Sequence, residues 1–133
     1  MFNVAVRHEK KAFITLGLVI VSMVIMPAEA QQAANCVVPT FSTADNQTVP
    51  ATMNVRTGKG CVITMGVPVA GFADARIVQA PQRGTAAIRG YRVTYVPRKG
   101  YTGPDQFIYM RYNLDRWGNR SPRTVSMQVN VIP

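Results

Sequence analysis

Residues 100–109 read Gly-Tyr-Thr-Gly-Pro-Asp-Gln-Phe-Ile-Tyr, and the interpretation of the whole chain starts from this stretch. Gly100 and Gly103 permit backbone angles that other residues resist. Pro104 fixes the direction in which the backbone leaves the turn. The stretch therefore predicts a corner of the chain that leads directly into a β-strand.

Four side chains of this corner have predicted structural roles. Phe107 and Tyr109 are two residues apart, so they face the same side of the strand and should anchor it in the core. Asp105 is expected to cap backbone N–H groups with its carboxylate. Tyr101 is expected to pack under the corner or to bond nearby backbone through its hydroxyl. A ligand-binding role for Asp105 is the alternative.

Alternating apolar and polar residues on both sides of this corner indicate further strands. The clearest case is Thr124–Val131, in which four apolar residues alternate with four polar ones. Other candidates are Thr52–Arg56, Cys61–Met65, Ala75–Gln79, residues 85–89, Tyr91–Val96 and Gln106–Tyr112. Gly/Pro turns separate these runs, and no helical period occurs after residue 30. The pattern predicts an all-β fold, an antiparallel β-sandwich of about seven strands.

The first thirty residues have the order of a secretory signal peptide. A basic segment precedes an apolar run from Ile14 to Met26, and Ala28-Glu-Ala30 supplies a cleavage site of small residues. An uncleaved membrane anchor is the alternative, although the run is shorter than the roughly 20 residues that span a bilayer. The predicted organisation is a signal peptide over 1–30, a polar lead over 31–47 and a β-sandwich domain over 48–133. No membrane span is expected after cleavage.

The processed chain has few of the groups that enzymes use for proton transfer, since only four aspartates and two lysines remain and no histidine. Removal of residues 1–30 takes away the single histidine, three basic and two acidic residues, which leaves twelve basic and four acidic residues and a net charge of +8. No glutamate remains. General acid–base catalysis near neutral pH usually relies on His, Glu, Asp or Lys. A hydrolase with paired aspartates is the alternative, but nothing in the sequence marks two of the aspartates as partners. We therefore expect no enzyme, no cofactor and no metal.

Two cysteines, Cys36 and Cys61, remain in a chain that is predicted to be exported. Even numbers of cysteines in exported domains usually form bridges, so a Cys36–Cys61 disulfide is expected. Free thiols and an intermolecular bond are the alternatives. An intramolecular bridge requires the segment before Pro50 to fold back.

The turns and strands around the corner resemble a known family. Pro81-Gln-Arg-Gly-Thr-Ala86, Tyr95-Val-Pro97, the stretch 100–109 and the closing strand Val125–Val131 are together similar to a bacterial Ig-like domain of the cadherin-like repeat type. The resemblance covers roughly residues 74–132. It implies a sandwich fold found in exported and surface proteins, with adhesive or structural roles and no catalysis. Some such domains bind calcium, but here Arg89-Gly90 replaces the usual Asp-Gly turn, and acidic residues are sparse.

The segment Asp115-Arg-Trp-Gly-Asn-Arg120 is the candidate contact loop, because arginine and tryptophan often dominate binding energies. Ig-like strand order would bring further arginines to the same end of the domain. The predicted partner-binding residues are Arg116, Trp117, Arg120, Arg123, Arg89 and Arg92. The alternative is that Trp117 folds back on its hairpin while Asp115 pairs with a neighbouring arginine.

Three kinds of partner are compatible with these features. The first hypothesis is a periplasmic or secreted module, for example in cell adhesion, that contacts another envelope or surface protein. The second is a basic binder of anionic polymers such as acidic polysaccharide or lipopolysaccharide; nucleic acid is not expected, because it is scarce outside the cytoplasm. The third is an accessory subunit of an envelope assembly, joined through the final strand from Thr124 to Ile132.

Overall fold

The computed structural model describes residues 35–66 and 72–133. Within them the chain forms eight strands, and their bounds are β1 Cys36–Val37, β2 Gln47–Arg56, β3 Cys61–Thr64, β4 Phe72–Gln79, β5 Gly84–Arg89, β6 Arg92–Pro97, β7 Gly103–Leu114 and β8 Arg120–Ile132. The all-β prediction is therefore confirmed. The signal peptide over 1–30 and the first part of the lead lie outside the described residues.

The strands form two sheets, a five-stranded one of order β1-β2-β8-β7-β4 and a three-stranded one of order β3-β6-β5. Two details correct the prediction of about seven antiparallel strands. The short β1 adds a strand, because residues 38–46 fold back and let it pair with the far end of β2. In addition, β2 runs parallel to β8 over ten residue pairs, from Gln47 opposite Arg123 to Arg56 opposite Ile132.

The final strand is an interior strand of the larger sheet. β8 is hydrogen-bonded to β2 on one side and to β7 on the other. The assembly hypothesis requires Thr124–Ile132 to be an edge, and this part of it was wrong because both sides of β8 are already paired. The edge strands are β1 and β4 in the larger sheet and β3 and β5 in the smaller one.

Buried side chains from both sheets meet in a single hydrophobic core. It consists of Ala51, Met53, Val55, Cys61, Ile63, Met65, Val93, Tyr95, Phe107, Tyr109, Val125, Met127, Val129 and Val131. The alternation of β8 is visible among these residues, since its valines and Met127 point inward every second residue. At the centre of the core, the rings of Tyr95 and Phe107 stack with centroids 5.6 Å apart.

A disulfide joins the two sheets at one edge. It links Cys36 of β1 to Cys61 of β3, with Cα atoms 5.2 Å apart, and so confirms the predicted bridge. Residues 36–46, most of the segment predicted as a polar lead, return towards the core and place Val38 and Phe41 against it. The bridge closes a loop that spans 25 positions, which stabilises the fold by about 3 kcal/mol in the chain-entropy model.

At two positions only glycine fits, because neighbouring atoms lie too close for a Cβ. A Cβ on Gly84 would lie 2.4 Å from the carbonyl oxygen of Val96, because β5 and β6 begin to pair at this point. Gly103 has φ +125°, and a Cβ there would meet the hydroxyl of Tyr101 at 3.0 Å. That hydroxyl donates a hydrogen bond to the carbonyl of Pro104, which closes the corner.

The strand register places two groups of basic residues at opposite ends of the sheets. One end carries the β7–β8 and β5–β6 turns, with Arg116 and Arg120 on the first and Arg89 and Arg92 beside the second. The other end carries the turns near Lys59, Arg83 and Lys99. Across residues 35–66 and 72–133 there is no helix long and apolar enough to cross a membrane.

Candidate functional site

The β7–β8 turn is held in one shape by Asp115. Its Oδ1 accepts hydrogen bonds of 2.8 Å from the backbone N–H groups of Trp117 and Asn119, and its Oδ2 accepts one of 2.8 Å from the Asn119 side chain. The backbone adds bonds from Gly118 to Asp115 and from Asp115 to Asn119, both 3.1 Å long. The side-chain bond from Asn119 is the largest of the contributions that lower the pKa of Asp115. The loop is thus organised before any partner binds.

Trp117 projects from this loop into solvent. Its side chain is 74% exposed, and the Arg116 guanidinium lies over its ring, 4.7 Å from the centroid. The alternative in which Trp117 folds back and Asp115 pairs with an arginine is not what the structure has. Asp115 bonds within its own loop, and the ion pair found among the described residues involves Asp45 and Arg123 instead.

Arg120 extends the exposed surface at the base of the hairpin. Its guanidinium lies 4.8 Å from the ring centroid of Tyr112, across the β7–β8 ladder. Arginine over an aromatic face gains a cation–π attraction and leaves its N–H groups directed outwards. We call Tyr112, Arg116, Trp117 and Arg120 the Arg–Trp patch. Tyr112 was missed from the sequence, although hairpin register alone would have placed it near Arg120.

Arg89 and Arg92 lie on the other sheet at the same end of the domain. They are direct cross-strand partners beside the β5–β6 turn, and both are exposed. Like charges that face each other across a ladder are destabilising by a fraction of a kcal/mol, roughly. An anion bound between them would relieve this repulsion.

Arg123 does not join the Arg–Trp patch. It lies within β8, where its Nε donates to Asp45 Oδ1 and its Nη1 donates to the Thr43 carbonyl and hydroxyl, both at 3.4 Å. The hydrogen bond from Arg123 is the main reason that the pKa of Asp45 is lowered. The sequence carried no signal for this pair, because 78 positions separate the two residues.

Asp105 lies at the other end of the domain, in the corner formed by residues 100–109. Its carboxylate is 8% exposed and accepts hydrogen bonds from the backbone N–H groups of Gln82, Arg83 and Gln106 and from the Tyr95 hydroxyl. It lines a cavity of about 380 Å³ beside Tyr101 and Pro104. Because both oxygens accept two hydrogen bonds each, the geometry is that of a cap that ties the 81–84 turn to β6 and β7.

A metal site requires several ligating side chains close together. Residues 35–66 and 72–133 contain no group of three or more His, Cys, Asp or Glu side chains close enough to hold an ion. What the Arg–Trp patch can do is bind: it offers an exposed indole for apolar contact and guanidinium groups that fork onto carboxylate or phosphate oxygens. Comparisons with protein-family models, curated proteins and solved structures found no match to this chain.

Proposed function

We propose that this protein is an exported, non-catalytic Ig-like module that binds an acidic site on another envelope or surface protein through the Arg–Trp patch. The observation that carries the proposal is the 74% exposure of Trp117 on a loop whose shape is already fixed by Asp115. An ordered loop loses less conformational entropy on binding, so more of its contact energy appears as affinity.

The Ig-like fold is the first part of this proposal. With β2 to β8 taken as strands A to G, the smaller sheet contains B, E and D, and the larger one contains G, F and C together with A. Ig sandwiches keep CFG on one sheet and BED on the other. The single shared core of both sheets supports the same interpretation.

Export to the periplasm or the cell exterior is the second part. The Cys36–Cys61 bridge supports an oxidising compartment, since such bridges are rare in cytosolic proteins. The basic and apolar segments at residues 7–26 support export independently.

Partner binding through the patch is the third part. Arginine and tryptophan are enriched among residues that cost the most binding energy when truncated, and they act at the centre of an interface. The partner surface should supply carboxylates for Arg116 and Arg120 and an apolar recess for the indole. A partner of this kind would dock on the end of the domain without disturbing the core.

The test is affinity capture from the envelope fraction of the source organism with the processed protein. The variant R116A/W117A should lose the captured partner, whereas K99A/V78A, which removes one exposed cation and one exposed apolar side chain elsewhere, should retain it. Thermal unfolding midpoints within a few degrees of one another would show that all three proteins are folded. Equal capture by R116A/W117A would reject the patch as the binding site.

A second candidate function is binding of an anionic polymer, and the facing pair Arg89 and Arg92 favours it. A polyanion would bridge this pair and relieve its repulsion. The protein should then elute from heparin well above about 0.15 M salt, the physiological range, and R89A/R92A should elute earlier than R116A/W117A. Elution of the wild-type protein at or below physiological salt would contradict this function.

A further inference from the structure

A second concave site lies at the same end of the domain, apart from the Arg–Trp patch. It is a cavity of about 410 Å³ between residues 38–43, the end of β3 and the adjoining parts of β7 and β8. Cavities that bind small molecules occupy roughly 300–1,000 Å³. Its size alone is therefore suited to a compact organic ligand.

One part of its wall is apolar. The side chains of Val38, Phe41, Ile63, Met65, Tyr109 and Val125 line it. Ile63, Met65, Tyr109 and Val125 are buried residues of the core, which makes this part of the wall rigid, while Val38 and Phe41 reach it from the segment that the disulfide ties down. An apolar body would gain free energy by burying its surface against these side chains.

Two arginines form the charged part of the cavity, and Thr40, Thr43 and Thr64 add polar groups to its wall. Arg111 and Arg123 face each other across the β7–β8 ladder and both line the cavity. Arg111 is 8% exposed and donates through Nη1 to the carbonyl of Gly66; burial, followed by the charge of Arg123, lowers its pKa. None of the described lining residues is acidic. A largely buried guanidinium attracts an anion more strongly than one in water, because the local dielectric is lower.

The hydrogen bonds of Arg123 indicate how it would meet a ligand. Asp45 accepts from its Nε and Thr43 accepts from its Nη1, so the guanidinium is held by the two residues at the rim. Among the described residues no acceptor is found for its Nη2. That nitrogen can donate to one oxygen of a bound anion, while the positive charge of Arg111 lies beside it.

We propose that this cavity binds a small amphipathic monocarboxylate, with its carboxylate against Arg111 and Arg123 and its aliphatic or aromatic body along Phe41, Met65 and Tyr109. The Nη2 of Arg123 beside the charge of Arg111 suits a single carboxylate, and the side chains of Phe41, Met65 and Tyr109 offer a surface for a hydrocarbon body. The site is separate from the Arg–Trp patch and does not depend on the function proposed for it.

The experiment is a titration of the processed, ¹⁵N-labelled protein with octanoate, monitored by amide chemical shifts. We expect saturable shifts that map to the cavity, around residues 38–43, 63–66 and 109–111. Octanol should bind at least tenfold more weakly than octanoate, because it offers no charge to the arginines. R123Q should weaken octanoate binding at least tenfold, and R111M should do the same.

The matched control is R76Q, which removes an exposed arginine of β4 that does not line the cavity, and it should leave the octanoate affinity unchanged. If R111M fails to fold, the affinity of R123Q for octanoate tests the proposal by itself. Arg123 is only partly buried, so its replacement should leave the protein folded. Equal binding of octanoate and octanol would overturn the proposal, as would shifts that map elsewhere. Tighter binding of a hydrophobic tripeptide acid than of octanoate would also overturn it, in favour of a peptide C-terminus.

Discussion

The hydroxyl of Tyr95 donates a hydrogen bond of 2.8 Å to Oδ2 of Asp105, and this bond crosses between the two sheets inside the protein. Burial, and then the bond to Asp105, raises the pKa of Tyr95 far above the usual range of a tyrosine. The bond connects β6 of the smaller sheet to β7 of the larger one. It is therefore a polar link across an otherwise apolar core.

The first prediction concerns this link. D105A should lower the free energy of unfolding by at least about 3 kcal/mol, because it leaves several buried donors without an acceptor. Y95F should cost about 1–2 kcal/mol, since it removes a single donor to a charged group. Urea unfolding of both single variants and the double variant would give the coupling energy, with D74N as the control for an exposed aspartate. Additive losses would show that the bond contributes nothing.

The second prediction concerns the disulfide. C36A/C61A should unfold with a free energy lower by about 3 kcal/mol, because the open chain gains entropy in the unfolded state. The denaturant slope should rise, since the unfolded chain without the bridge exposes more surface. Guanidinium unfolding of the oxidised protein and the variant measures both quantities. An unchanged midpoint would contradict the stabilising role.

The third prediction concerns Gly84. G84A should lose about 2 kcal/mol of stability, because the added methyl would press against the Val96 carbonyl and the pairing of β5 with β6 must shift. G60A is the matched control, since a Cβ there would find its nearest neighbour at 3.5 Å, an ordinary contact. Thermal unfolding of the two variants should differ clearly. Equal midpoints would show that the backbone adjusts at no cost.

The fourth prediction is a loss of stability at alkaline pH. Burial raises the pKa of Tyr109 to about 12, whereas a tyrosine in the unfolded chain titrates near 10. The folded protein therefore holds this proton more tightly, and its stabilising effect is complete below about pH 10 and is lost as the pH rises towards about 12. Y109F should show a shallower decline across this range when urea unfolding is repeated at each pH. An identical decline would mean that Tyr109 does not titrate as described.

The fifth prediction concerns the order of the contact loop. The chain has one tryptophan, so its fluorescence reports on the loop alone. D115A should lower the fluorescence anisotropy of Trp117, because three hydrogen bonds to the carboxylate are removed. D74A, at an exposed aspartate of β4, should leave the anisotropy unchanged. No difference between the two variants would show that the loop is ordered by its backbone alone.

The strands could be predicted where alternation is strict. Thr124–Val131 and residues 92–96 lie in strands of the structure, since a half-buried strand requires one apolar face. The first half of β2 was missed because Pro50 argues against a strand. At Pro50 the strand has a neighbour on one side only, since β1 pairs with Asn54 and Val55 and β8 lies on the other side, and prolines in sheets are found at such edge positions.

Long-range pairings limit how much of the candidate site could be predicted from the sequence. The loop at residues 115–120 could be found from its composition, but local sequence does not encode that Arg123 bonds to Asp45 or that Arg111 lies inside a cavity. Local sequence also does not encode that β2 runs parallel to β8. These relationships result from how distant segments pack, and alternation within one strand carries no information on them.

The position of β8 between β2 and β7 has a consequence for the order of events during synthesis. Residues near 50 must wait for partners near 127 before the larger sheet can close, and this wide separation makes folding comparatively slow. Until β8 is synthesised, β2 lacks its partner over residues 47–56. In an exported protein, as proposed above, such a delay would leave time for the chain to cross a membrane before the larger sheet forms.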